Sequence, residues 1–250
     1  MPNDSRIELR NSQMTFESAN EAVYGGAIAG LNSDAITLEN ITFSGNGPTN
    51  YGNGLWTQDC KSVNLNGCSF SGNNGFKYGG GVYANHVILN SVNTNYKQNS
   101  GSYRGAGLYI TNNSTATIRG GQFYKNKLIG SFHDDEKPGY EGYGAGLYFG
   151  NGGTLTVTDV TFNNNEVKPT EGSKTGGGGG AIALVNQRYE VSDSEYKFTE
   201  VEVDHAVSLT KCTLEGLSMA ANQALSGDGG AIMIRSVNED SPALSIIAVR

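Results

Sequence analysis

Short stretches in which apolar and polar residues alternate recur along the chain, and several of them end at a phenylalanine. Examples are AITLENITF, SVNLNGCSF, TATIRGGQF and TLTVTDVTF. Alternation with a period of two is typical of a β-strand with one buried face. Between these stretches lies a second segment, in which a block of small residues precedes an aliphatic residue. Each repeat is therefore predicted to contain at least two short strands, joined by turns rich in asparagine and glycine.

The small-residue block occurs seven times, and its first glycines are Gly25, Gly52, Gly79, Gly105, Gly144, Gly179 and Gly229. Successive blocks are 27, 27, 26, 39, 35 and 50 residues apart. A period of roughly 20–50 residues made of short strands is typical of a solenoid in which coils stack on one another. The predicted fold class is all-β, a right-handed parallel β-helix of about seven or eight coils.

The longer spacings predict three loop insertions, near residues 131–142, 168–176 and 187–204. The last insertion alternates on both sides of SDS, which predicts a protruding hairpin. We expect residues 1–250 to form a single β-helix segment of a longer solenoid, because both ends of the chain fall within a coil and uncapped coils expose strand edges.

Stacked coils place equivalent residues of successive repeats in columns. Counting from each glycine block predicts an interior phenylalanine column and, three residues later, an asparagine column at a bend: Phe43, Phe70, Phe123 and Phe162, followed by Asn46, Asn73, Asn126 and Asn165. Each amide is expected to bond the turn and the next asparagine. Cys68 and Cys212 are both assigned to the buried position of Ile41, too far apart to pair.

Composition narrows the function classes. The 36 glycines, with only 5 prolines and many strand-forming residues, indicate tight turns in a β protein rather than a disordered linker. The net charge of −7 argues against a nucleic-acid partner. No stretch approaches the ~18 apolar residues of a membrane span, so no membrane insertion is expected within this segment.

An aromatic stripe is the sharpest candidate for a binding site. If the aliphatic residue of each block points inward, the next residue points outward. In four consecutive coils these outward residues are Trp56, Tyr83, Tyr109 and Tyr148. Such a row suits a sugar or a protein partner; alternatively, the rings pack on each other or beneath an insertion. If the stripe binds, Trp56→Ala with Tyr83→Ala should abolish attachment and leave thermal stability nearly intact.

Residues for catalysis or metal binding do not converge in the sequence. Asp34, Asp59 and Asp159 fall at different positions of the repeat, and the acidic run Asp134–Glu136 lies in an insertion. The histidines occupy unrelated settings, so neither a metal site nor a cofactor is expected. The chain is therefore predicted not to be an enzyme.

The alternation of Phe-x-x-Asn with Gly-Gly-Ala-[Ile/Leu/Val] resembles the repeats of the chlamydial polymorphic outer membrane proteins, from about Ile7 to the end of the chain. Three blocks match the second motif letter for letter, at residues 25–28, 179–182 and 229–232, and four copies match the first. The resemblance implies a secreted, surface-displayed β-helix that acts in adhesion.

The leading functional prediction is attachment, outside the cell, to a protein or carbohydrate on a host, a neighbouring cell or the matrix. One alternative is a structural segment that joins copies of itself end to end in a filament or sheath. Another is a carbohydrate-active β-helix whose site lies outside this segment. Sequons at Asn40, Asn112 and Asn113 would accept glycans in a eukaryotic secretory route.

Overall fold

The computed structural model describes most of the repeat region. The described residues are 5–10, 15–17, 23–129, 142–168, 177–186, 189–191, 198–200, 211–225, 229–236 and 243–247. Apart from one antiparallel hairpin, they form a parallel β-helix, in which strands pair with their equivalents in the neighbouring coils.

Three long parallel sheets form the walls of the solenoid. Sheet A has eight strands: Arg6–Arg10, Ala35–Glu39, Val63–Asn66, Ile88–Val92, Ser114–Arg119, Gly153–Thr158, Lys211–Glu215 and Ala243–Ile247. Sheet B has seven: Thr15–Glu17, Thr42–Ser44, Ser69–Ser71, Asn95–Lys97, Gln122–Tyr124, Thr161–Asn163 and Ser218–Ala220. Sheet C has seven: Ile28–Leu31, Leu55–Gln58, Val82–Asn85, Leu108–Thr111, Leu147–Gly150, Ile182–Asn186 and Ile232–Ser236.

Short strands complete the coils between sheet B and the glycine block. One parallel pair joins Thr49–Tyr51 to Gly75–Tyr78, and a four-stranded set contains Ser100–Gly101, Lys127–Ile129, Glu166–Lys168 and Gln223–Ala224. Each coil therefore runs from sheet C to sheet A, then to sheet B and a short strand, and returns through the next glycine block. The predicted fold class is confirmed in its parallel, coil-by-coil pairing.

The predicted phenylalanine column runs through the centre of the core. Phe43 and Phe70 stack with ring centroids 4.5 Å apart, and Phe123 and Phe162 stack at 4.7 Å. Tyr96 fills the rung between them, at 5.6 Å from Phe70 and 4.5 Å from Phe123. All five rings are 0% exposed. The Tyr96 hydroxyl bonds the Ser91 hydroxyl at 2.9 Å, which satisfies the one polar group in this column.

The predicted asparagine column forms a continuous chain of amide hydrogen bonds. The Asn73 Nδ2 donates to the Asn99 Oδ1 at 3.0 Å and to the Phe43 carbonyl at 3.1 Å. Its Oδ1 accepts from both the backbone N–H and the Nδ2 of Asn46. The same pattern continues through Asn99, Asn126, Asn165 and Asn222. Because these groups are buried, the column satisfies polar atoms that would otherwise be costly.

The glycine block solves two steric problems at the entrance to sheet C. Gly79 has a φ of +61°, a left-handed conformation that residues with a Cβ rarely adopt. Gly81 lies against the next coil, where an added Cβ would be 2.5 Å from the carbonyl oxygen of Gly107. The block therefore combines a sharp turn with close contact between coils.

One assignment from the sequence was wrong. Cys68 does lie at the Ile41 position, but Cys212 pairs with Leu155 and so occupies the earlier column of Ile36 and Val63. Columns were assigned by counting residues from the preceding glycine block, and the long insertion between that block and Cys212 makes this count fail. Both thiols are free and buried, and burial raises the pKa of Cys212 to about 12.

The insertions near 131–142 and 168–176 lie outside the described residues, except for their edges at 142 and 168. Within the third, Tyr189–Val191 pairs antiparallel with Phe198–Glu200, as the alternation there predicted.

Candidate functional site

The predicted aromatic stripe forms a stacked column on the outer side of sheet C. Within one strand, Val82 and Ala84 belong to the main core, whereas Tyr83 belongs to a separate outer cluster. We call the stripe the first outer row. Its neighbouring rings lie 6.4, 5.0 and 4.9 Å apart, in the order Trp56, Tyr83, Tyr109 and Tyr148.

The first outer row is buried, which corrects the expectation of an exposed stripe. Trp56, Tyr83, Tyr109 and Tyr148 are 7, 9, 6 and 0% exposed. Hence the Trp56→Ala/Tyr83→Ala variant can no longer be expected to leave stability nearly intact, since it would leave a cavity in a packed cluster. A sugar or partner can reach these ring faces only if other side chains move.

A second aromatic row covers the first. It consists of the residues directly before the first glycine of the first five blocks: Tyr24, Tyr51, Tyr78, Arg104 and Tyr143. Three of its rings, Tyr24, Tyr51 and Tyr78, lie against the first-row ring of the following coil, after a turn at a left-handed glycine. Tyr51 meets the Tyr83 ring edge-on at 5.5 Å, and Tyr78 packs on Tyr109 at 5.2 Å.

Arg104 occupies a position of the second row at which the other four of the first five blocks have tyrosine. Its guanidinium carbon lies 6.0 Å from the ring centroids of Tyr78 and Tyr143 and 5.2 Å from that of Tyr148. Its Nη1 also donates to the Tyr148 hydroxyl at 3.3 Å, and the residue is only 7% exposed. The faces of aromatic rings attract such a cation. Burial raises the pKa of Tyr78 and of Tyr83.

The two rows reach solvent at Tyr24. Its ring is stacked on Tyr51 at 5.2 Å and lies 5.0 Å from Trp56, yet the residue is 49% exposed. Tyr24 is thus a member of the second row that also contacts the first row at Trp56, and its side chain is accessible to solvent.

Polar side chains form a second feature at the corner between sheets C and A, which we call the amide ridge. Its members are linked across four coils: Asn85 donates to Gln58 at 3.4 Å, Asn112 to Asn85 at 2.9 Å, and Asn151 to Asn112 at 3.5 Å. Gln58, Asn85 and Asn151 are half-buried and Asn112 is exposed. Asn112 and Asn151 have φ values of 56° and 60°, a conformation in which asparagine is common.

A hydrogen-bonded histidine–aspartate pair lies beside this ridge. The Nδ1 of His86 is 2.8 Å from Oδ1 of Asp59, and Gln58 donates to the other carboxylate oxygen at 3.2 Å. The hydrogen bond from His86 holds the pKa of Asp59 below its usual value. Both side chains are largely exposed, so we assign the pair little stability.

Comparison with known proteins agrees with this geometry. The family described as right-handed β-helix region matches residues 1–195, well over half of the chain. The chain belongs to the right-handed β-helix family. Searches of curated proteins and of solved structures each returned no match. The family includes pectate lyase-like enzymes and proteins without catalytic activity, so membership alone does not decide between them.

Within the described residues, the three aspartates considered as candidate catalytic groups lie in different settings. Asp34 is paired with Lys61, whereas Asp59 contacts His86 and Asp159 lies at a different corner. In the part of the chain that the structure describes, no three His, Cys, Asp or Glu side chains cluster as metal ligands would. The acidic run 134–136, His133 and His205 lie outside the described residues. Within the described ranges, no helix is long and apolar enough to cross a membrane.

Sequence reasoning missed the amide ridge and Arg104. The ridge residues are 27, 27 and 39 residues apart, close to the coil steps of 27, 26 and 39, but Asn112 comes one residue after the equivalent of Asn85, so the repeat alone did not align them. Arg104 was visible in the sequence, because it is the one arginine among the residues that precede the seven glycine blocks, four of which are tyrosine. Sequon residues Asn40, Asn112 and Asn113 are all exposed.

Proposed function

We propose that this β-helix is a non-catalytic attachment module that works outside the cell, at a cell surface, and binds a glycan or a protein. The observation that carries the proposal is the amide ridge, a line of partly exposed amides that crosses four coils. It replaces the aromatic stripe as the candidate contact surface, because the stripe is buried.

The ridge suits a partner with many hydroxyl or peptide groups. Each amide carries both a donor and an acceptor, and neighbouring coils repeat at about 4.8 Å. Because backbone pairing and side-chain hydrogen bonds hold the amides in place, little conformational entropy remains to be lost on binding. An extended glycan or peptide parallel to the solenoid axis could therefore bond several coils at once.

The charges beside the ridge favour binding over catalysis. Glycoside hydrolysis generally needs two carboxyl groups on either side of the scissile bond. Asp59 is held by His86, and Asp34 is engaged by Lys61 on the neighbouring coil. Neither pairing presents two carboxyl groups facing each other.

The proposal is tested by comparing two variants on different faces. In the ridge variant, Gln58, Asn85 and Asn112 are changed to alanine. In the control, Asn64 and Asn90 are changed to alanine; these two amides bond each other at 3.0 Å on the outer face of sheet A. Binding of labelled protein to a glycan array and to intact cells is measured for both.

We expect the ridge variant to bind at least about tenfold more weakly than wild type, because each lost hydrogen bond costs about 0.5–1.5 kcal/mol. The control should bind like wild type. Equal binding by all three proteins would exclude the ridge as the contact surface. Release of reducing ends from polysaccharides would contradict a non-catalytic role, and concentration-dependent filaments would favour the structural alternative.

A further inference from the structure

Two rows of closely spaced aromatic rings connect the buried centre of the outer cluster to one exposed tyrosine. From Tyr148 the path runs through Tyr109, Tyr83 and Trp56 to Tyr24, with ring centroids 4.9, 5.0, 6.4 and 5.0 Å apart. The second row provides a parallel path from Tyr78 through Tyr51, with spacings of 5.6 and 5.2 Å. Electrons transfer readily between aromatic side chains in such close contact.

We propose that the outer rows deliver one-electron oxidation to Tyr24, where two copies of the chain become joined by a dityrosine bond. This role is independent of binding through the amide ridge. The electrons are accepted by an external one-electron oxidant, such as a peroxidase intermediate.

The buried tyrosines are poor places for the oxidation to remain. A phenol that loses an electron must also lose its proton, and Tyr83 is 9% exposed, with little water nearby to accept it. The hydrogen bond that joins Tyr83 to Asn85 is donated by the asparagine, so it provides no proton acceptor. Burial also raises the pKa of Tyr78 and of Tyr83.

The electrostatics of the rows favour movement toward Tyr24. The guanidinium of Arg104 lies within 6.0 Å of Tyr78, Tyr143 and Tyr148, and a positive charge makes it harder to remove an electron from a nearby ring. Trp56 is the exception in the first row, because an indole can lose an electron before it loses a proton. It lies directly beneath Tyr24, which is 49% exposed and can release its proton to water.

The cross-linking step is balanced as follows. Each Tyr24 gives one electron to the oxidant and one proton to water and becomes a phenoxyl radical. The carbons ortho to oxygen on two such radicals form a new C–C bond, and the ring hydrogens at those carbons return to the oxygens through water. Two phenols therefore become one dityrosine, with the loss of two electrons and two protons.

The first test compares single substitutions. The purified chain is oxidised in light by a ruthenium tris-bipyridyl complex with persulfate, and cross-linked dimer is measured by denaturing gel and peptide mass spectrometry. We expect loss of the dimer in Tyr24→Phe, which keeps the exposed ring and removes its hydroxyl. Tyr124→Phe, which removes a tyrosine on sheet B away from both rows, should cross-link like wild type. A wild-type amount of dimer from Tyr24→Phe would overturn the proposal.

The second test asks whether the rows supply the oxidation. In Tyr51→Phe/Trp56→Phe, the rings next to Tyr24 are replaced by a ring that is much harder to oxidise. We expect less dimer and more oxidation retained at Tyr83 and Tyr109, with circular dichroism showing that the fold is kept. An unchanged yield at Tyr24 would show that exposure alone explains its reactivity, and the proposed role of the rows would be wrong.

Discussion

The molecule contains two columns of stacked aromatic rings that follow the same coil spacing but pack differently. In the inner column, from Phe43 to Phe162, neighbouring rings are 3–9° from parallel and every ring is fully buried. In the first outer row, neighbouring rings are 9–17° from parallel, and contacts to the second row are inclined by 44–79°. The inner column consists of four phenylalanines and one tyrosine, whereas the outer rows mix tyrosine, tryptophan and arginine.

The two columns differ in ring orientation and composition because they are enclosed to different extents. Three sheets surround the inner rings, so their size and orientation are restricted on every side, as in any close-packed interior. The outer rings are supported by one wall and by the row that covers them, which leaves them free to tilt. The outer rows can therefore accept Trp56 and Arg104, and solvent reaches them at Tyr24.

The largest loss of folding stability is expected from a substitution in the buried asparagine column. Asn73→Leu would remove the side-chain hydrogen bonds that Asn73 makes with Asn46, Asn99 and Phe43, at about 1–3 kcal/mol for each buried group that loses its partner. We expect a loss of at least about 3 kcal/mol in the free energy of unfolding, measured by urea denaturation. The control Asn64→Leu, on the outer face of sheet A, should change stability by about 0.5 kcal/mol or less. Similar losses in both would contradict the role of the column.

The next largest loss of stability is expected from removing one ring, and it can be compared between the inner column and the first outer row. Phe123→Ala should cost about 3–5 kcal/mol, because the enclosing sheets cannot close the cavity. Tyr109→Ala should cost less, since the covering row can move and water can enter from outside. Chemical denaturation of both variants measures the difference. A larger loss for Tyr109→Ala would mean that the outer rows are as rigidly packed as the core.

Alkaline pH should weaken the outer rows. Burial raises the pKa of Tyr83 in the folded chain, so the unfolded chain, with a pKa of about 10, loses this proton first. The stabilisation is fully present below about pH 10 and is lost as pH rises further, by up to about 1.4 kcal/mol per pH unit for one tyrosine. In Tyr83→Phe this slope should be smaller than in wild type. Tyr96→Phe makes the same measurement for the inner column, where burial also raises the pKa.

The smallest effect is the coupling between the two outer rows. A double-mutant cycle of Tyr51→Ala and Tyr83→Ala, whose rings meet edge-on at 5.5 Å, should give about 0.5–1.5 kcal/mol. Unfolding free energies of the four proteins provide the value. Strictly additive losses would show that the second row covers the first without stabilising it.

Much of the inner structure could be predicted from the repeat. Phe43, Phe70, Phe123 and Phe162 occupy one column because a strand residue and its equivalent one coil later must pair. Tyr96 and Asn99 fit the same columns with less regular motifs. The column of Cys212 was predicted wrongly, because the long insertion before it hides how many residues belong to the coil.

The candidate site was harder to predict. The sequence indicated correctly that Tyr83 points away from the core, but exposure also depends on what lies outside the wall. Tyr51 is far from Tyr83 in sequence and reaches it only through the turn at the glycine block. The amide ridge likewise depends on a corner at which Asn85 and Asn112, from different positions in their coils, come within hydrogen-bonding distance.

By itself, the sequence determined the coil, its period and the residues that face inward, because strand alternation and repeat spacing act locally and are copied from coil to coil. Only the tertiary structure decided that the aromatic stripe is covered, that Arg104 is enclosed by tyrosines, and that Tyr24 remains open to solvent. These outcomes depend on contacts between coils and across turns, where the direction of the chain after a left-handed glycine determines which side chains meet.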